Sequence, residues 1–160
     1  MRKIIPALFL LLIIFLGSKN GYSHCEIPCG IYNDQMRVDM ISEHVDTIEK
    51  SMNQIIELQK ATPVDYNQLV RWINNKDDHS EQLQHIVTQY FMTQRLKPVT
   101  ADKTEEYQKY VIQLSLLHEM LVYSMKAKQT VDPGNITKLR SLLQEFSVAY
   151  FGPDYKRHEH

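Results

Sequence analysis

Cysteine is nearly absent from this chain of 160 residues: Cys25 and Cys29 are the only two, which leaves room for one disulfide at most. An excess of one charge is missing too. With a net charge of −1 and neither a basic stripe nor an aromatic RNA-binding motif, nothing in the chain is built for nucleic acid. Strand-like alternation of apolar and polar residues is absent, which argues against a β architecture. There is no internal repeat, and no low-complexity tract beyond the first residues. Five glycines and six prolines are few, and most of them punctuate elements rather than fill them.

What is present begins with a leader. Arg2 and Lys3 give a basic start, residues 4–16 form an apolar run broken only by Pro6, and residues 17–23 turn small and polar. The run is about 13 residues, short of the roughly 20 that a membrane-crossing helix needs. Gly21 and Ser23 place small residues at the minus-three and minus-one positions of a cut after Ser23. The pattern predicts a signal peptide over residues 1–23, removed by signal peptidase, with export to the periplasm or the extracellular space and no membrane attachment after processing. An uncleaved anchor is the alternative reading of the same run. Residues 24–160 then make one domain, of a size that a single core can serve.

Helical periodicity fills that domain. Val38, Ile41, Val45, Ile48, Met52 and Ile55 are spaced alternately by three and four, the stripe of an amphipathic helix over about 34–60, ended by Thr62-Pro63. Leu69, Trp72, Ile73, Leu83, Ile86, Val87, Tyr90 and Phe91 predict a second over about 65–94, although its middle, residues 74–79, carries almost nothing apolar. Tyr107, Tyr110, Val111, Leu114, Leu117, Leu121 and Tyr123 mark a third. Asp132-Pro133-Gly134-Asn135 reads as a turn, and Ile136, Leu139, Leu142, Leu143, Phe146 and Tyr150 mark a fourth helix, stopped by Gly152-Pro153. The fold class predicted is all-α: a four-helix bundle. Asp46 with Lys50 and Glu105 with Lys109 have the i,i+4 order that supports exposed helix faces.

Chemistry concentrates in His24-Cys25-Glu26-Ile27-Pro28-Cys29-Gly30-Ile31-Tyr32. A cut after Ser23 frees the α-amine of His24, which with the amide nitrogen of Cys25 closes a five-membered chelate ring. The Cys25 thiolate closes another, and Cys29, four residues on, offers a second sulfur while the imidazole approaches from one side. Pro28 and Gly30 suit a tight loop around Cys29. A planar set of nitrogen and sulfur donors favours Ni(II) or Cu(II) over zinc, and over magnesium or calcium. Cu(II) oxidises exposed thiolates, so nickel fits better. Spacing alone favours a Cys25–Cys29 disulfide, or an unrelated small metal site, over a redox nickel site.

His24-Cys25-x-x-Pro28-Cys29-Gly30-x-Tyr32 resembles the nickel hook of the nickel-containing superoxide dismutases, whose mature chains begin His-Cys-x-x-Pro-Cys-Gly-x-Tyr. Tyr66-Asn67-Gln68-Leu69-Val70-Arg71-Trp72 and Leu117-His118-Glu119-Met120-Leu121 are similar to members of that family as well. The resemblance implies an all-α four-helix bundle with an irregular N-terminal metal-binding hook, assembled as a homohexamer, with superoxide as substrate and a nickel ion as cofactor. It implies metal bound by the amine and imidazole of His24, the amide nitrogen and thiolate of Cys25 and the thiolate of Cys29.

Tyr32 would stand over the open metal face in the catalytic role, and Pro28 would match the proline whose cis peptide bond shapes the hook. Glu26 takes the place where members commonly have Asp. Asp39 would match the first-helix glutamate that holds the imidazole, one methylene shorter. A supporting arginine on the second helix has no obvious counterpart; the polar stretch 75–79 is the candidate region, with His79 a weak substitute. Exposed aromatics such as Tyr150 and Phe151, or the outer helix faces, would form the oligomer contact. The rival expectation is a secreted helical binding module with a Cys25–Cys29 disulfide and no metal, and a third is a metal carrier without turnover.

Overall fold

Apolar residues three and four apart gather on one side of the chain only if it is helical, and in the computed structural model of this protein α1 runs Asp34–Lys60. The structure describes residues 34–155. The leader 1–23, the hook residues His24, Cys25, Glu26, Pro28, Cys29, Gly30 and Tyr32, and His158 and His160 in the C-terminal tail lie outside the described residues. Within them, α2 spans Tyr66–His85 and continues without a break as a π-helical segment, Ile86–Arg95. Two more helices follow, α3 over Thr104–Gln129 and α4 over Pro133–Phe151.

The helix ends follow from local chemistry. The Asp65 carboxylate accepts the Gln68 backbone N–H at 3.1 Å and starts α2. The stretch Asp132-Pro133-Gly134-Asn135, expected as a turn, is the first turn of α4 instead. Asp132 caps it by accepting the Gly134 N–H at 2.9 Å, and Pro133 has the fixed φ that suits a first helical position, where its missing N–H costs nothing. Gly152 closes α4 with φ of +114°, a conformation other residues avoid.

Each helix runs antiparallel to the next. His44 meets His79 and Ser51 meets Asn75 between α1 and α2; Ser124 meets Ser80 between α3 and α2; Gln113 reaches Ala149 between α3 and α4. Arg140 of α4 reaches back to Asp46 and Glu49 of α1 and closes the up-down-up-down ring. Val38, Ile41, Val45, Ile48, Leu83, Val87, Phe91, Leu117, Met120, Ile136, Leu142, Leu143 and Phe146 fill the centre, all within 1% of full burial. Each contributes roughly 1.5–3 kcal/mol of transfer free energy. No helix among the described residues is long and apolar enough to cross a membrane.

Several local expectations change. The apolar pattern predicts continuous α-helix to about residue 94, but from Ile86 the bonds run from i to i+5, as in Leu96 N–H to Phe91 O at 2.9 Å. Asp46 pairs with Arg140 at 2.7 Å and not with Lys50, whose ammonium lies 6.0 Å from the centre of the Trp72 ring. The Arg140 guanidinium, forked onto both oxygens of Glu49, is fixed beside Asp46 and outcompetes a flexible ammonium one turn away. Tyr150 is not an exposed aromatic: it packs against the core with its hydroxyl engaged, while Phe151 beside it remains exposed and stacks on Tyr155 at 4.7 Å.

Candidate functional site

Asp34 opens α1 two residues after Tyr32, at the end of the bundle where the N-terminal segment joins it. Its side chain is only 15% exposed, and three donors converge on its carboxylate. Tyr90 Oη donates to Oδ1 at 2.6 Å, Arg95 Nη2 to Oδ2 at 2.6 Å, and Tyr150 Oη to Oδ2 at 2.8 Å. Arg95 Nε also donates to the Tyr150 hydroxyl oxygen at 3.3 Å. These donors come from the π-helical end of α2 and the last turn of α4, so one carboxylate ties three helix ends together.

The π geometry is what lets α2 supply two of them. Residues five apart lie above one another when bonds run from i to i+5, which puts Tyr90 and Arg95 on the same side. In an α-helix the same two side chains would point about 140° apart. Beneath the carboxylate lies an aromatic floor: Phe91 meets Phe146 edge to face at 5.0 Å and Tyr150 at 5.6 Å, and Phe146 stacks on Tyr150 at 5.4 Å. Arg37 lies over the Tyr90 ring at 4.9 Å from its centre.

Burial alone would raise the Asp34 carboxyl, but the hydrogen bonds from Tyr90, Arg95 and Tyr150, with the charge of Arg95, outweigh it and hold it below the ordinary value. The phenols move the other way. Burial, then the hydrogen bond and charge of Asp34, push Tyr90 up to about 12, and the same causes in the same order raise Tyr150. The hydrogen bond to Asp34 leads the causes that raise Arg95. At neutral pH the cluster is therefore one carboxylate, one guanidinium and two intact phenols.

Of the residues singled out by sequence, Asp39 lies in α1 little more than one turn beyond Asp34. It is half-buried, and its Oδ1 accepts Gln35 Nε2 at 2.8 Å. His79 is not at this end of the bundle. It pairs with His44, Nδ1 to Nδ1 at 2.9 Å, and His44 lies ten residues further along α1, about 15 Å away. The guanidinium that does reach this pole from the second helix is Arg95. Nothing in the sequence points to it, because its reach depends on a helical repeat that an apolar pattern does not report. A polar cleft of about 210 Å³, lined by Gln68, Arg71, Trp72 and Asn75, opens toward the opposite end of α2.

Among the described residues no three His, Cys, Asp or Glu side chains converge as a metal site. The donors to be weighed are those of His24, Cys25 and Cys29, outside the described residues. Two thiolates with amine, amide and imidazole nitrogens form a soft, anionic set whose chemistry fits nickel.

Compared with known families, residues 19–153 match the family model of nickel-containing superoxide dismutases. That span takes in the His24 to Tyr32 motif together with all four helices. No curated protein and no solved structure matches the chain.

Proposed function

The chain belongs to the nickel-containing superoxide dismutases, an enzyme family with nickel as cofactor, and on that premise we propose that its metal centre is the processed N-terminus beginning at His24. The observation that carries the reading is the extent of the family match, which begins just before the motif and includes every donor the chemistry needs. Signal peptidase removes residues 1–23 and frees the His24 amine. The amine and imidazole of His24, the amide nitrogen and thiolate of Cys25 and the thiolate of Cys29 hold the ion. Nickel bound there would supply the one-electron Ni(II)/Ni(III) couple for the disproportionation of superoxide, in which two superoxide ions and two protons give dioxygen and hydrogen peroxide.

The rest falls to the chain itself. Anionic sulfur and amide donors favour the higher oxidation state and bring the couple into a useful range. Tyr32, matched to the family's tyrosine, has the hydroxyl that would order a small anion and water and pass a proton. Glu26 and Pro28 shape the loop, and the Asp39 carboxylate orients the imidazole, as a partner to a metal-bound histidine commonly does. Restricted access would also protect the thiolates from peroxide, which can carry them past the reversible sulfenic stage. The mature domain, residues 24–160, works as a homohexamer in the periplasm or the extracellular space.

Secreted protein from cells grown with ample nickel tests this reading by N-terminal sequencing, metal analysis and superoxide consumption. The expected result is a chain starting at His24 with one nickel ion and an activity abolished by Cys25→Ser. A chain starting elsewhere, or one bridged from Cys25 to Cys29 and free of nickel, would refute it.

A further inference from the structure

A carboxylate at the first turn of a helix is ordinary, since it complements the helix dipole by about 0.3–1 kcal/mol and needs no partner for that. Asp34 has much more than that role requires. It is mostly buried, and it takes charge-assisted hydrogen bonds from Tyr90, Arg95 and Tyr150, the last 116 residues away in sequence. Two of those donors are aligned only because the last ten residues of the second helix adopt π geometry, a rare form that recurs at functional sites. A second ion cluster, Arg140 with Asp46 and Glu49, also joins α1 to α4, but in the middle of the bundle, so stapling those two helices does not require Asp34.

We propose that Asp34 is a positioning residue for the nickel-binding segment: pinned to the ends of α2 and α4, it fixes where and in which direction the chain departs from the bundle toward Tyr32 and the metal ligands. This rests on the reading that His24, Cys25 and Cys29 hold nickel. Tyr150 and Arg95 act through Asp34, so the C-terminal helix sets the geometry of an N-terminal metal centre.

The test uses secreted, nickel-loaded full-length protein carrying Asp34→Asn, Tyr150→Phe or Arg140→Gln, beside the wild type. Three quantities are read: melting temperature, the rate of nickel loss to a chelator, and the electron paramagnetic resonance spectrum of the nickel centre. Asp34→Asn and Tyr150→Phe are expected to lose nickel about ten-fold faster, the scale typical of outer partners of a metal site, and to give a broadened or multiple nickel signal. Arg140→Gln is expected to melt lower yet keep the wild-type rate and spectrum. Tyr150→Phe removes a single hydroxyl and keeps the aromatic floor, so it remains informative if Asp34→Asn fails to fold. Wild-type rates and spectra in both pole variants would overturn the proposal, as would an Arg140→Gln spectrum altered as much as theirs. A wild type that binds no nickel would instead bring down the functional reading, and this inference with it.

Discussion

His44 and His79 face each other with Nδ1 atoms 2.9 Å apart, so one ring donates its proton to the bare nitrogen of the other, and protonating both breaks the contact. Burial, and then the proximity of His79, lower His44 from 6.5 to about 4. On its own helix Glu43 and Asp46 are exposed, and from α4 Arg140 is taken up by Asp46 and Glu49. The unfolded chain binds a proton at this site near pH 6.5, whereas the folded one resists until about 4. The stability His44 contributes is therefore complete above about pH 6.5 and drains away as pH falls toward 4, by up to about 3 kcal/mol. His44→Gln is expected to flatten the decline of urea stability across that window; an unchanged slope would show that the pair does not govern it. Asp34 and Glu49, whose carboxyls are held low, lose their contribution only at more acid pH. The apolar stripe of α1 is legible in sequence because it repeats locally. The pairing of His44 with a residue 35 positions away is not.

The polar middle of α2 sends one charged residue into the interior. Lys76 is 3% exposed, and its ammonium donates to the Ala127 carbonyl at 2.9 Å, to the Lys128 carbonyl and to Asp77 Oδ1 at 2.9 Å. It thus closes the C-terminal end of α3, where carbonyls lack helical partners and the dipole favours a cation. Removing the charge relieves its desolvation, but the carbonyls stay behind unpaired, and that loss dominates. Lys76→Met is expected to cost about 2 kcal/mol in urea unfolding. Lys128→Gln, whose exposed pair with Glu81 is worth less than about 1 kcal/mol, provides the contrast; equal small losses in both would deny Lys76 this role. Helix ends written in local chemistry, at Asp65 and Gly152, were readable in advance. Asp132-Pro133 predicts a turn and yet starts a helix because capping and turn chemistry use the same residues. The π segment escaped because Ile86, Val87, Tyr90 and Phe91 satisfy either repeat.

For the molecule as a whole, the family was legible because the motif that carries the resemblance, His24 to Tyr32, is one short stretch of sequence, so recognising it needs no knowledge of the fold. The cluster of Asp34, Tyr90, Arg95 and Tyr150 was illegible for the opposite reason: it is brought together by helix lengths and a closed ring of contacts. The bond between Asp34 and Tyr150 also means that both extremities of the described bundle emerge side by side. Such adjacency ordinarily invites backbone cyclisation or circular permutation. Here that engineering would defeat itself, since an amide linkage through the nitrogen of His24 consumes a donor that the proposed centre requires. A head-to-tail circle of residues 24–160 is expected to melt higher than its linear parent and to carry no nickel, a divergence that calorimetry and elemental analysis on the same preparation would expose.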